Sequence, residues 1–288
     1  FDILSQRGLA KIEETLQVLA YNQPEQGETF DIHDIKRFKT DPVVNALVKS
    51  AQCMGCFYVE SPAMRMLLKK LEVDTYLGLV AASSIIRPGV SKSGMMREYI
   101  LRHREKGRAE ERAHPVMLQI MPETYGVMVY QEDVIKVAHY FANLDLGEAD
   151  VLRRGMSGKF RSREEFQKVK DKFVDNCRKK GYIDDLIFEI WDQVASFAGY
   201  AFAKGHSASY AVESYQTLFL RAYFPLEYMV AVLNNGGGFY SPEFYIHEAQ
   251  MLGAIIHPPC INKSVAVNCI YGKDLYLGYM YLRELEAR

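Results

Sequence analysis

The sequence predicts a mainly α-helical protein with minor β structure, a multi-helix body followed by a small α/β segment at the C-terminal end. Three observations carry this. Apolar residues recur three and four positions apart through most of the first 235 residues, the period of a helix with one buried face. Start and stop signals punctuate these runs: Thr40-Asp41-Pro42 and Ser61-Pro62 open helices, and Gly181 closes one. Strand-like stretches cluster beyond Gly236-Gly237-Gly238, the strongest break in the second half.

In chain order, residues 1–4 form a short strand, and Ser5 leads into a helix over 6–20 with Leu9, Ile12, Leu16 and Leu19 on one face. Residues 22–27 are a loop, and 31–50 are short helices. A strand over 56–62 runs into a proline-initiated helix over 63–71. Apolar residues 74–86 are helical and stop at a Gly/Pro/Ser loop. A cation-bearing helix covers 95–106, and 125–130 is the clearest strand. Residues 131–142 form an amphipathic helix with Val134, Val137, Ala138 and Phe141 inward. Ser162-Arg163-Glu164-Glu165 reads as a capping box for a helix over 163–180. Asp184 and Asp185 cap the next helix, which buries Leu186, Ile187, Ile190, Trp191, Val194 and Phe197. A long apolar helix reaches Phe224, and Pro225 starts another that ends before the glycine run. One helix over 242–252 and strands over 254–256, 265–271 and 275–281 complete the chain.

Apolar content of 49% and charged content of 25% over 288 residues fit one or two globular domains. No apolar run is long enough to span a bilayer, and no signal-peptide pattern opens the chain. Because it begins at Phe1-Asp2 and ends in a charged run, it is expected to be cut from a longer protein. Five scattered cysteines fit a reducing cytoplasm rather than a disulfide framework. Cys53-Met54-Gly55-Cys56 has metal spacing, yet no second pair completes it, so these read as core thiols.

Net charge is −1, but it is segregated. Residues 87–112 carry eight Lys/Arg against four Asp/Glu, and residues 152–181 carry eleven against four. The rest of the chain is acidic, which suits one polyanion-facing surface on an acidic body. Three loops pair cations with Gly or Ser. The first is Arg153-Arg154-Gly155-Met156-Ser157-Gly158-Lys159, followed by Arg161 and Arg163. Arginine's planar fork matches phosphate oxygens and glycine admits a close backbone, although a solvated helix end also accounts for these residues. The second is Lys204-Gly205-His206-Ser207 at a helix start, where free N–H groups favour anions. It is not a Walker loop, and Ser207 as a helix N-cap or as a nucleophile remain alternatives. The third is Arg87-Pro88-Gly89 with Lys92 and Ser93, either a helix-ending turn or a contact to a phosphate backbone. The seven histidines show no ligand spacing, and Asp2 alone is no two-metal site.

These same residues carry a family resemblance. The chain closely resembles the bacterial DNA polymerase III α subunits, the C-family replicative polymerases, through ordered blocks along most of its length. They are Phe1-Asp2-Ile3-Leu4 with Arg7-Gly8-Leu9; Phe57-Tyr58-Val59-Glu60-Ser61 with Met64; Arg87-Pro88-Gly89 with Ser93-Gly94-Met95; and Tyr125-Gly126 with Tyr130-Gln131-Glu132. Gly147, Ala149-Asp150, Leu152-Arg153-Arg154 and Met156 continue the series. Phe197-Ala198-Gly199-Tyr200, Phe202, Lys204, His206-Ser207-Ala208, Tyr210-Ala211 and Ser214-Tyr215-Gln216 end it.

The resemblance implies a polymerase fingers domain over 23–235, the end of the palm over 1–22, and a segment over 236–288 leading to a helix-hairpin-helix region. It implies that Asp2 is one of three metal-binding, catalytic palm aspartates. Arg153 and Arg154 would meet the incoming dNTP, with Lys204, His206 and Ser207 nearby. Arg87, Lys92, Lys159, Arg161 and Arg163 would serve primer–template DNA. The implied full-length enzyme uses Mg²⁺ for nucleotidyl transfer in DNA replication. Other holoenzyme subunits, the sliding clamp included, would bind through regions outside this chain, and no membrane is involved. The other two palm aspartates are absent from the sequence, so the chain by itself is expected to be inactive. Ser5-Gln6-Arg7 and Ser157-Gly158-Lys159 depart from the commoner pattern, which keeps an error-prone translesion paralogue open. A non-catalytic nucleic-acid-binding module and a Ser/Lys hydrolase centred on Lys204 and Ser207 are the alternatives from other classes.

Overall fold

The computed structural model describes residues 6–27, 29–87, 90–91, 93–156, 163–197, 203–282 and 284–285. Helices dominate, with a small α/β segment near the C-terminal end, as the sequence predicts, and the strands among the described residues form one small sheet there. The chain divides into two compact units, Phe1–Tyr76 with Tyr210–Arg288, and Leu77–Ser209. The predicted strand over 1–4 and the Ser162 cap lie outside the described residues.

In the first unit, helix Arg7–Asn22 packs on helix Pro225–Asn234, which in turn packs on helix Pro242–Met251. Residues 226–233 are all buried, the signature of a helix apolar around its whole circumference. Its one interior charge, Glu227, accepts from the side chains of Asn22 and Gln23 at 2.5 and 2.6 Å. Asp41 caps helix Pro42–Ser50 and Ser61 caps helix Pro62–Leu71, as their sequence signals dictate. Phe38 stacks on Phe219 with centroids 4.1 Å apart. Strands β1 (Ile255–His257), β2 (Cys269–Tyr271) and β3 (Asp274–Tyr276) form a sheet ordered β1-β3-β2. β1 runs parallel to β3, and β2 antiparallel to it, with Leu275 opposite both Ile256 and Ile270.

Several expectations fail in this unit: the strand expected over 265–271 is confined to Cys269–Tyr271, and that over 275–281 ends at Tyr276, with a 3₁₀ turn at Tyr279–Tyr281. The first helix buries Gly8, Lys11, Ile12, Thr15, Val18 and Leu19, while Leu9 is half exposed. Hydrogen bonds make this offset face possible: Lys11 donates to the Gly55 carbonyl and Thr15 to the Lys11 carbonyl. Gly8 is needed there because a Cβ would meet the Phe57 ring at 2.6 Å. Residues 57–59 form a turn rather than a strand. Gly55 and Tyr58 take left-handed φ angles of 81° and 67°, which curl a segment that has no strand partner. Residues 24–27 are a short helix, Pro24–Gly27, rather than a loop. Cys53 and Cys56 are core thiols as expected; burial pushes Cys53 up to about 12 and Cys56 well above its ordinary value.

The second unit is helical, and its hydrophobic interior includes Leu79, Val134, Phe141, Leu152, Phe173, Trp191 and Phe197. The expected strand over 125–130 is irregular, buried chain. Tyr125 and Gly126 have φ of 56° and 70°, and the Val129 and Tyr130 N–H groups bond the Asp133 carboxylate instead of a neighbouring strand. Burial raises the Asp133 pKa, against the pull of those two N–H groups. The amphipathic face of 131–142 is inward as predicted, but only Gln131–Lys136 is α-helical; Val137–Phe141 is a π-helical turn. Gly181, at φ 84°, terminates the helix Arg163–Lys179 region. Asp184 and Asp185 lie in the first turn of helix Asp184–Ser196 rather than capping it, and Asp184 pairs with Arg178 at 2.9 Å. Leu186, expected inside, is half-buried at the edge of a surface groove.

Candidate nucleotide-facing cluster

Arg153 and Arg154 sit in the last turn of helix Leu146–Met156, whose Ala149 and Leu152 are fully buried. That burial turns the 150, 153 and 154 positions outward, three and four residues apart on one face. Asp150 takes both guanidinium groups. Arg153 Nε and Nη2 donate to its Oδ1 at 2.8 and 2.7 Å, and Arg154 Nε donates to its Oδ2 at 2.9 Å. The arginine side chains are 35% and 48% exposed, so a ligand can reach them.

Lys204 opens helix Lys204–Tyr223. Its backbone N–H donates to both Glu132 oxygens, at 3.1 and 3.0 Å. The anion that the free helix N–H groups favour is therefore supplied from within the protein. Lys204 Nζ donates to Glu123 Oε2 at 2.6 Å and lies 5.2 Å from the Tyr130 ring centre. This contact lowers the Glu123 pKa, through the hydrogen bond first and the lysine charge second. Helix Gln131–Lys136, which contributes Glu132, packs on helix Leu146–Met156, which carries the arginine pair. One short helix thus joins the first and second cation loops.

The second and third loops also meet. Ser207 is fully buried, and its hydroxyl pairs with that of Ser84 at 2.6 Å. Ser84 belongs to helix Tyr76–Ile85, and its carbonyl accepts from the Arg87 N–H at 3.3 Å. Arg87 itself is half-buried, whereas His206 is exposed. Ser207 is not the N-cap of its helix, since it lies a full turn inside. Its burial and its serine partner deny it the exposure and the adjacent base that a nucleophile needs.

Asp2, Lys92, Lys159 and Arg161 lie outside the described residues, and Arg163 is described only as the start of helix Arg163–Lys179. Among the described residues no group of three or more His, Cys, Asp or Glu side chains is placed to hold a metal ion. No helix among them is long and apolar enough to cross a membrane. A groove of about 570 Å³ in the same unit is lined by Ser93, Arg97, Arg102, Arg112 and Glu189 among others, and by none of the predicted cations that lie among the described residues.

Sequence reasoning selected the cations and missed the carboxylates that hold them. Asp150 was legible from its three- and four-residue spacing to the arginines. Glu123 and Glu132 stand 81 and 72 positions from Lys204, beyond any local pattern.

Comparison with known proteins bears on the same segments. Residues 9–181 match the family model described as the bacterial DNA polymerase III alpha subunit finger domain. The DNA polymerase III subunit alpha of Campylobacter jejuni is 33% identical over 269 residues, 92% of this chain and 22% of that protein. The protein of the same name from Aquifex aeolicus is 35% identical over 247 residues, 85% of this chain and 21% of its own length. An error-prone DNA polymerase of Vibrio campbellii is 33% identical, covering 91% of this chain and 25% of that protein. The chain therefore spans about a fifth to a quarter of the length of these relatives.

Proposed function

The chain belongs to the bacterial DNA polymerase III alpha subunit family, in its finger region, and from that premise we propose that it holds the incoming dNTP against primer–template DNA for nucleotidyl transfer. The observation that carries this is the gathering of two reachable guanidinium groups, Arg153 and Arg154, at one point on Asp150. Neutralising triphosphate charge and fixing its direction are what such a pair does in a phosphoryl-transfer site. Lys204 and His206, brought to the same unit, would add cationic and hydrogen-bonding character. Ser207 serves by locking its helix to Ser84 rather than by touching the nucleotide. Arg87, Lys92, Lys159, Arg161 and Arg163 are assigned to the DNA backbone, whose contacts are salt-dependent.

The proposal extends to the full-length protein: a DNA-directed DNA polymerase acting in the cytoplasm, with Mg²⁺ and with other replication subunits bound elsewhere. Asp2 would be one metal ligand in it, and the chain's cations would act on the nucleotide and the DNA. Residues 1–22, 23–235 and 236–288 would be palm end, fingers and connecting segment. A relative named DNA polymerase III subunit alpha and one named error-prone DNA polymerase stand at the same 33% identity, so the shared nucleotidyl-transfer role is the one assigned. By itself the chain should not extend a primer; Mg²⁺-dependent extension by the purified chain would refute that.

The test is Arg153→Ala in the full-length polymerase. Loss of one charge-assisted contact should raise KM for dNTP about ten- to a hundredfold, more than it weakens DNA binding. Equal losses in both would count against the assignment.

A further inference from the structure

We propose that Asp150 is a positioning residue that presets both arginines for the triphosphate, an inference that rests on the dNTP-binding role proposed for the pair. One carboxylate serves two forks: Oδ1 accepts from Arg153 Nε and Nη2, and Oδ2 accepts from Arg154 Nε. Both pairs follow helical spacing, so the rigid helix Leu146–Met156 sets all three residues. Fully buried Ala149 and Leu152 fix that helix against the unit's interior.

The arrangement leaves the arginines usable. Asp150 engages Arg153 along its Nε–Nη2 side, and among the described residues Arg153 Nη1 has no partner. A guanidinium held along one side offers its other edge to a second oxyanion in bidentate geometry. Half-exposed pairs of this kind contribute little to folding stability. Their effect lies in removing rotamer freedom before the ligand arrives, which lowers the entropy lost on binding.

The charge of Asp150 makes the proposal testable by sign. If carboxylate and triphosphate interact only through net charge, replacing Asp150 by a neutral residue removes a repulsion and lowers KM for dNTP. If Asp150 acts by positioning, the same replacement frees the Arg153 side chain, loosens Arg154 and raises KM.

The experiment measures steady-state KM for dNTP, kcat and primer–template affinity in the full-length polymerase, for the wild type and for Asp150→Asn, Asp150→Glu and Arg153→Ala. Asp150→Asn should raise KM for dNTP by about three- to tenfold, more than it lowers kcat, the scale expected when an immobilised side chain regains rotamer freedom. DNA affinity should be unchanged, and Asp150→Glu, which keeps both oxygens, should recover most of the loss. An unchanged or lowered KM in Asp150→Asn, beside a raised KM in Arg153→Ala, overturns the positioning role and leaves the dNTP-binding role standing. An unchanged KM in Arg153→Ala overturns the dNTP-binding role and this inference with it. A raised KM in Asp150→Asn accompanied by a lowered Tm, with neither relieved in Asp150→Glu, overturns it by showing a merely structural role.

Discussion

Two sets of charged groups, one in each unit, are held in opposite ways. In the first unit, Glu60, Glu14 and Arg221 are bonded to groups distant along the chain. Glu60 is 8% exposed and accepts from the Gly55 N–H, the Phe239 N–H and the Tyr245 hydroxyl at 2.8 to 3.0 Å. Glu14 accepts from Asn234 and Asn235, and Arg221 bonds Glu248. In the second unit the equivalent pairs lie near the surface: Arg153 and Arg154 on Asp150, Lys204 on Glu123, and Arg178 on Asp184. A buried, saturated charge can serve only the fold, because removing its partner leaves an uncompensated group in low dielectric. An exposed pair holds a side chain in place at little energetic cost, and a stronger anion can share or take it. All the described predicted cations fall in the second unit, where that exchange is possible.

The largest test of this contrast is Glu60→Ala. It strands three donors in the first unit, and the close fit around them blocks repair; a Cβ at Gly238 would collide with Glu60 Oε1. A loss of about 3–5 kcal/mol in unfolding free energy is expected from denaturant titration. A loss under about 1 kcal/mol would erase the distinction between the units.

Next in size is Glu213→Gln. Glu213 is buried, its Oε1 lacks a hydrogen-bond partner, and burial raises its pKa from 4.5 to about 7, with Lys11 acting in the opposite direction. A raised carboxyl pKa means the folded state binds the proton more tightly than the unfolded chain. Its contribution is fully present below about 4.5 and is lost as pH rises through about 7. The glutamine variant lacks this loss, so its stability relative to the wild type should grow between pH 5 and pH 8, by roughly 1–2 kcal/mol. Thermal unfolding at both pH values checks this; a constant difference would mean that Glu213 does not titrate there.

The smallest effect belongs to the second unit. Arg153→Ala, expected to damage dNTP use, should shift the stability of this chain by less than about 0.5 kcal/mol, since its ion pair is half exposed. A shift as large as that of Glu60→Ala would show that the arginine serves the fold first.

Local signals gave most of the helices. The Asp41 and Ser61 caps, the Pro225 start and the left-handed Gly181 are where the sequence puts them, because each depends on the conformational limits of one or two residues. The strand expectations over 56–62 and 125–130 failed because a short apolar run makes a strand only where a neighbouring strand supplies hydrogen bonds. Turns and the Asp133 carboxylate supply them instead.

By itself, then, the sequence determined the helical class, the cations at Arg87, Arg153, Arg154 and Lys204, and the ordered blocks that mark the family. Only tertiary structure decided which carboxylates hold those cations, that Ser207 is buried against Ser84, and that Glu132 rather than a ligand meets the start of helix Lys204–Tyr223. Helix propensity and capping are local and can be read along the chain. The partners of a charged side chain are set by which distant segments pack together, and no local spacing records that.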